Sequence, residues 1–285
     1  MHPMRPLAFS SNAFKKNTLS EAIDALADIG YRGVEIMADL HHAWPPAFDA
    51  GRRAETKRQL QNRGLAVSNV NAFTCFVHGD TYHPTFLTSD PAKLKIRVDH
   101  TKACLELAAE FGAKTVSIQP GGPVIGTGLT YEAAAERFAE ALHDCLPTAR
   151  RTGVTIAVEP EPGLLIQSAE EYRQFKAMYF ADEPLIRMNC DIGHLFCVGD
   201  DPAAVIRQMP QEIAHVHLED IGEDHVHQHL TPGQGVIDFP AIFAALDAID
   251  YGGWVTVELY PFVTTATGTA KAAWDALASV LGKHD

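Results

Sequence analysis

The chain has few cysteines and few positive charges. Its five cysteines, Cys75, Cys104, Cys145, Cys190 and Cys197, are odd in number and none forms a Cys-x-x-Cys pair. That fits reduced thiols in a cytosol and not a disulfide framework. Lys and Arg number 23 against 36 Asp and Glu, a formal charge of −13. A protein that lives on a phosphate backbone carries the opposite sign, so a nucleic-acid partner is not expected. No apolar run approaches the ~20 residues of a membrane span, so no membrane partner is expected either. The opening Met1-His-Pro-Met-Arg-Pro leads into no apolar segment of a secretory signal, and a cytoplasmic location is the expectation. Leu7–Asn17 holds no glycine, so the Gly-x-Gly-x-x-Gly turn of a dinucleotide-binding sheet is missing. There is no low-complexity tract, linker or shift of composition. What is present is a 46% hydrophobic, 21% charged chain of 285 residues, enough to bury a large core.

One pattern repeats to the end. Short β-branched runs bounded by Gly or Pro alternate with amphipathic stretches. The predicted strands are Leu7–Ser10, Gly33–Met37, Ala66–Asn71, Thr115–Gln119, Thr155–Glu159, Ile186–Asp191, Ile213–Leu218 and Trp254–Leu259. Helices are predicted over Leu19–Ile29, Lys93–Phe111, Tyr131–Arg151, Ala169–Tyr179, Pro202–Met209, Pro240–Ile249 and Ala270–Leu281, with Thr18 or Ser20 capping the first. Eight strands interleaved with helices predict an α/β protein, a (β/α)₈ TIM barrel spanning 1–285 as a single domain. The polar and aromatic stretch Phe73–Pro91 reads as a long loop over the barrel's active face.

Chemistry in such a barrel sits where strands stop. Strand five ends on Glu159, strand six on Asp191, and strand eight on Glu258; strand seven carries His215 and His217. Neighbouring strands lie ~4.8 Å apart, so these groups can converge. Two Glu, one Asp and one His make an oxygen-rich set for one divalent cation, Mn²⁺ by preference, with Mg²⁺, Co²⁺ or Zn²⁺ admissible. His217 is at the strand end and is the expected ligand; His215 is deeper in the barrel. Glu35 and Asp39, at the end of strand two, are candidate contacts for substrate hydroxyls, with pairing inside the barrel the alternative for Glu35. Glu161, two residues past Glu159, reads as a support for it. Trp44, Phe73, Phe76, Tyr82 and Phe86 are candidates for an apolar wall over the site.

The order Glu159, Asp191-x-x-His194, His217-x-x-Asp220, Glu258 resembles the xylose-isomerase-like barrel superfamily over essentially the whole chain. That superfamily includes tagatose and psicose 3-epimerases, hydroxypyruvate isomerase, inosose dehydratase and the endonuclease-four-type apurinic endonucleases. The resemblance implies Glu159, Asp191, His217 and Glu258 as metal ligands and His194 as a substrate contact. Departures are specific. Where the endonucleases carry metal-binding histidines after strands three and four, this chain has Asn71 and Gln119, both read here as substrate contacts. Where the epimerases carry an Arg six residues past the strand-seven His, position 223 is Glu; their second strand-five Glu is matched by Leu165.

Five histidines lie between 215 and 229. The run His225-Val-His-Gln-His229 resembles the nuclease segment that helps bind a third zinc, with His227 in place of an Asp. His194, His227 and His229 are therefore read as substrate contacts, or alternatively as holders of a second metal. The expected function is isomerisation or epimerisation of a ketose or related polyhydroxy carbonyl compound through an enediolate, with Glu159 and Glu258 as the acid/base pair. The same proton abstraction followed by loss of a substituent would make a dehydratase or lyase acting on an inosose or 3-keto glycoside. A phosphodiesterase acting on abasic DNA is the least favoured reading. The partner is a small carbohydrate, and a homo-oligomer is compatible with the sequence.

Overall fold

The structure is a computed structural model that describes residues 6–281; the opening residues 1–5 lie outside it. Eight parallel strands close into a barrel in sequence order: β1 Leu7–Ser10, β2 Gly33–Met37, β3 Ala66–Asn71, β4 Thr115–Ile118, β5 Thr155–Val158, β6 Ile186–Asp191, β7 Ile213–Leu218 and β8 Val255–Val257. The last strand pairs with the first, Phe9 opposite Val257. Nine helices surround the barrel among the described residues: α1 Leu19–Ile29, α2 Ala50–Arg63, α3 Pro91–Phe111, α4 Tyr131–Thr152, α5 Ala169–Tyr179, α6 Ile192–Cys197, α7 Pro202–Gln208, α8 Phe239–Ala248 and α9 Ala266–Leu281. The chain folds as one TIM barrel.

Local sequence explains most boundaries. Thr18 and Glu21 close a reciprocal capping box on α1, and Gly30 ends it in the left-handed region. The periodic pattern does not predict α2, because that helix buries only Leu60 and has too thin an apolar stripe. Asp49 nonetheless caps it, and Gly64 ends it. The six-residue α6 is also absent from the prediction. It starts on Asp191, whose Oδ1 accepts the His194 N–H at 2.8 Å. Strands β4 and β5 each stop one residue earlier than predicted, and β8 is three residues long, so Gln119, Glu159 and Glu258 lie just past the strand ends.

The apolar side chains Phe9, Val34, Ile36, Val70, Val116, Ile156, Val216 and Val257 belong to the core. The barrel interior is polar. Thr115 donates to Asn69 Oδ1 at 2.7 Å, Asn69 Nδ2 donates to Ser117 and to Glu35, and Ser68 meets Thr256 at 3.1 Å. These groups are shut off from water, so each must find its partner across the barrel, and the network fixes the strands' relative positions.

Candidate metal centre and substrate cavity

Parallel register sets Asp191 opposite His217 on adjacent strands. Glu159 and Glu258 flank them from β5 and β8. One ligand atom from each of Glu159, Asp191, His217 and Glu258 lies within 4.8 Å of all the others, and all four side chains are buried. His217 Nδ1 is 2.8 Å from Glu159 Oε1 and 3.8 Å from both Asp191 Oδ2 and Glu258 Oε1. The sequence-predicted ligands therefore meet at one point.

Burial alone would lower the His217 pKa, but Glu35, Glu159 and Glu258 outweigh it and hold the imidazole well above its ordinary value. Burial raises Glu159 and Glu258; repulsion from Asp191 and Glu35 adds to it at Glu159, and repulsion from Glu159, Glu35 and Asp191 adds to it at Glu258. A set of buried acids bridged by one imidazolium is the charge pattern expected where a cation belongs. Asp191 Oδ2 supports this reading, since it is buried without a hydrogen-bond partner. The donor set, its burial and that orphaned oxygen fit a divalent ion.

Glu35 is not a wall of the cavity. Fully buried beneath it, Glu35 accepts from Ser10 at 2.6 Å, Asn71 at 3.0 Å and Asn69 at 2.9 Å, and its Oε2 is 2.6 Å from His217 Nε2. Of the two readings of Glu35, pairing within the barrel is the one observed: it orients the candidate ligand His217, since occupation of Nε2 leaves Nδ1 facing the carboxylates. Asp39 is corrected in the same way. Its oxygens accept from Thr74 Oγ1 and the N–H groups of Leu40, Phe76 and Val77, pinning the loop after β3. Gln119 spends its amide on the carbonyls of Phe73 and Tyr82, and it too braces that loop rather than facing a ligand. Asn71 does line the cavity and donates to Glu258 Oε1 at 3.2 Å.

The cavity above the four acidic and imidazole groups has a volume of about 210 Å³. At about 30 Å³ per water it holds the equivalent of roughly seven waters, suited to one sugar-sized molecule. Phe73, Phe76 and Tyr82 form a wall, as expected; Phe86 is instead in the core, and Trp44 packs edge-on against His78. Glu161 lines the cavity and accepts from Tyr82 Oη at 3.0 Å. Burial, together with repulsion from Glu159, lifts its pKa to about 8.

His194, His227 and His229 do come together, each offering a ring nitrogen within 4.8 Å of the others. His194 Nδ1 meets the Pro160 carbonyl at 3.0 Å and His229 Nδ1 the Glu258 carbonyl at 2.9 Å. Those bonds require Nδ1–H and make each Nε2 an acceptor; that of His229 is 3.2 Å from His227 Nε2, and no hydrogen bond to a described residue occupies that of His194. Burial lowers His194 to about 3 and His229 to about 4, so both rings are neutral at physiological pH. The segment carrying His227 and His229 is anchored by Asp220, whose carboxylate accepts from Ile221, Gly233, Gly235 and Ile237 N–H groups. Position 235 tolerates only glycine, since a Cβ there would lie 2.2 Å from the Ile221 carbonyl oxygen.

Four residues of the site escaped sequence reasoning. Asn12 donates to Glu258 Oε1 at 2.8 Å, and Lys15 and Tyr260 line the cavity. Asn12 and Lys15 follow β1 and Tyr260 follows β8, so their strand-end positions were the available signal. Glu219, buried beside Asp191, has both oxygens unpartnered, and burial and then Asp191 push its pKa well above the usual carboxylate range.

A family model described as xylose isomerase-like TIM barrel matches residues 23–281. The chain belongs to this family. This xylose isomerase-like barrel is 26% identical over 272 residues to an inosose dehydratase of Clostridium beijerinckii, covering 86% of this chain and 83% of that one. Among solved structures, a zinc-bound IOLI protein superposes with a TM-score of 0.79 at 18% identity, over 98% of this chain and 99% of the other. D-psicose 3-epimerase from Clostridium cellulolyticum H10 superposes with a TM-score of 0.78 at 18% identity, over 97% and 99%. At that identity the superpositions show the fold alone. No described helix is long and apolar enough to cross a membrane.

Proposed function

We propose that this barrel is a divalent-metal enzyme that removes the proton beside the carbonyl of a polyhydroxy ketone and returns it, as an isomerase or epimerase. The observation that carries the reading is that Glu159 and Glu258 belong to the four-donor centre and also line the cavity above it. Two carboxylates from β5 and β8 can then reach one bound molecule from different sides, one taking the proton and the other giving it back. Glu159, Asp191, His217 and Glu258 would hold the ion, with Mn²⁺ preferred by so oxygen-rich a set. A bound divalent cation polarises the carbonyl oxygen and stabilises the negative charge left by proton loss. Asn12 and Asn71 hold Glu258 Oε1 by their amides, which fixes where its other oxygen presents itself. His194 and His227 in the cavity wall, with His229 behind them, supply hydrogen bonds to substrate oxygens.

Dehydration of an inosose is the second reading, favoured by the relatives of that name at 24% to 26% identity. Its first step is the same proton abstraction; the enediolate then loses a neighbouring hydroxyl as water. Turnover of ketoses and inososes in D₂O separates the two. Isomerase or epimerase chemistry places solvent deuterium on the product carbon, whereas dehydration yields a product lighter by water. Glu159→Gln and Glu258→Gln should each reduce turnover by at least about 10²-fold. A substrate turned over at wild-type rate by either variant would remove that residue from the acid/base pair.

A further inference from the structure

Lys15 stands at the end of the short 3₁₀ turn Ser11–Phe14 that carries the chain from β1 over the mouth of the barrel. That turn is fixed on both sides. Phe14 is buried, Ser10 Oγ accepts the Asn12 N–H, and Ser11 Oγ accepts the Met37 N–H at 2.9 Å and meets His42 Nδ1 at 3.0 Å. The half-buried Lys15 ammonium lies 5.6 Å from the centre of the Phe76 ring and 6.0 Å from that of Tyr260. Residues from the loops after β1, β3 and β8 therefore place one cation in the cavity wall, where it is the only Lys or Arg among the described lining residues.

Among the described residues, its close partners are those two rings. Glu258 and Asp39 both act on it electrostatically, yet neither forms an ion pair with it. Asp39 is spent on the loop after β3, and Glu258 Oε1 is taken by Asn12 and Asn71. No described residue hydrogen-bonds to Lys15 Nζ, so its three N–H donors are free for a ligand. The charge around it constrains that ligand. Glu159, Glu161 and Glu258 line the same cavity. As the one Lys or Arg among the described lining residues, Lys15 is a poor receptor for a phosphate, which needs several convergent cationic donors. It is a good donor to a single uncharged oxygen, with the aromatic rings beside it covering the apolar face of a sugar or cyclitol.

We propose that Lys15 is a substrate-binding residue that donates to an oxygen of an uncharged, unphosphorylated polyhydroxy ketone lying against Phe76 and Tyr260. This rests on the proton-abstraction reading for the class of ligand, but its binding role can be measured without turnover. The test is calorimetric titration of the Mn²⁺-loaded wild-type, Lys15→Met and Lys15→Gln proteins with an inosose, a ketohexose and the same ketohexose phosphate. Solvent-deuterium exchange is followed in parallel. Met keeps the packed stem and Gln keeps one donor, so metal content and Tm of both should match wild type. Wild type should bind a neutral ketone more tightly than the phosphate; Lys15→Met should weaken that binding by about ten- to a hundredfold, and Lys15→Gln by less. Unchanged binding in Lys15→Met, tighter binding of the phosphate by wild type, or no binding of any neutral ketone would overturn the assignment. If binding behaves as expected and wild type exchanges no hydrogen, Lys15 keeps its role and the proton-abstraction reading fails.

Discussion

Glu35 Oε2 lies 2.6 Å from His217 Nε2, although the two residues stand 182 positions apart and on strands β2 and β7. The contact crosses the barrel beneath the cavity floor. It occupies Nε2 and leaves Nδ1 turned toward Glu159, 2.8 Å away.

Glu35→Gln should therefore weaken divalent-ion affinity by about 10- to 100-fold while leaving the four ligands in place. The amide keeps hydrogen-bonding capacity but removes the charge that holds the ring. Competition titration with a metal-sensitive dye reads the change, and an affinity equal to wild type would deny Glu35 its orienting role.

The metal-free chain should lose stability as pH rises from about 7.5 to about 8.5, above the range in which unfolding lets His42, His100, His194 and His229, depressed to about 3 to 4 by burial, take up protons. His217, Glu258, Glu219 and Glu161 all have folded pKa values above their ordinary 6.5 and 4.5, Glu161 at about 8. A raised group stabilises fully below its unfolded pKa, and that contribution is lost as pH climbs through the folded one. Glu35 and Asp191 are depressed below 4.5 and 3.8 and contribute constantly across this window. A divalent ion needs the deprotonated ligands, so the gain in Tm on adding Mn²⁺ should be larger at the higher pH. Equal gains at both pH values would mean that the ion binds elsewhere.

Arg97→Met should cost about 3 kcal/mol in urea unfolding. The buried guanidinium donates to the carbonyls of Pro84, Ala72 and Phe73, tying the loop after β3 to helix α3. Hydrogen exchange across residues 73–90 should quicken in the variant; protection equal to wild type would show that Asp39 and Gln119 suffice to hold the loop.

His227→Ala should retain the tightly bound equivalent of metal and lose affinity for neutral ketones. His227 Nε2 is 3.2 Å from His229 Nε2 and its ring edges onto His194 at the cavity wall, away from the four-donor centre. If elemental analysis finds two equivalents in wild type and one in the variant, the three histidines hold a second ion instead.

Abasic-site duplex DNA should not be cleaved. The −13 charge repels the backbone, Asn71 is bound to Glu35 and Glu258, and Gln119 is bound to loop carbonyls. Incision that Glu258→Gln abolishes would return the phosphodiesterase reading to first place.

The sequence by itself determined the barrel and the four side chains that converge at the ends of its strands. β-Branched runs at regular spacing and Gly-marked helix ends are local signals, and an acid or His at a strand's C-terminal end needs only strand order to be placed. Thus Glu159, Asp191, His217 and Glu258 could be named before any coordinates, whereas the polar helix α2 and the short α6 could not. Direction across the barrel was decided only by the tertiary structure. Glu35 and Asp39 look alike as strand-end acids, and only closure of the barrel, which sets β2 beside β3 and across the interior from β7, turns one toward His217 and the other toward the loop after β3. Gln119 likewise looks like a ligand contact until that loop claims its amide. Lys15 carried no periodic or motif signal. Its ammonium matters because three loops, distant in sequence, converge on one cavity and leave it the only Lys or Arg among the described lining residues.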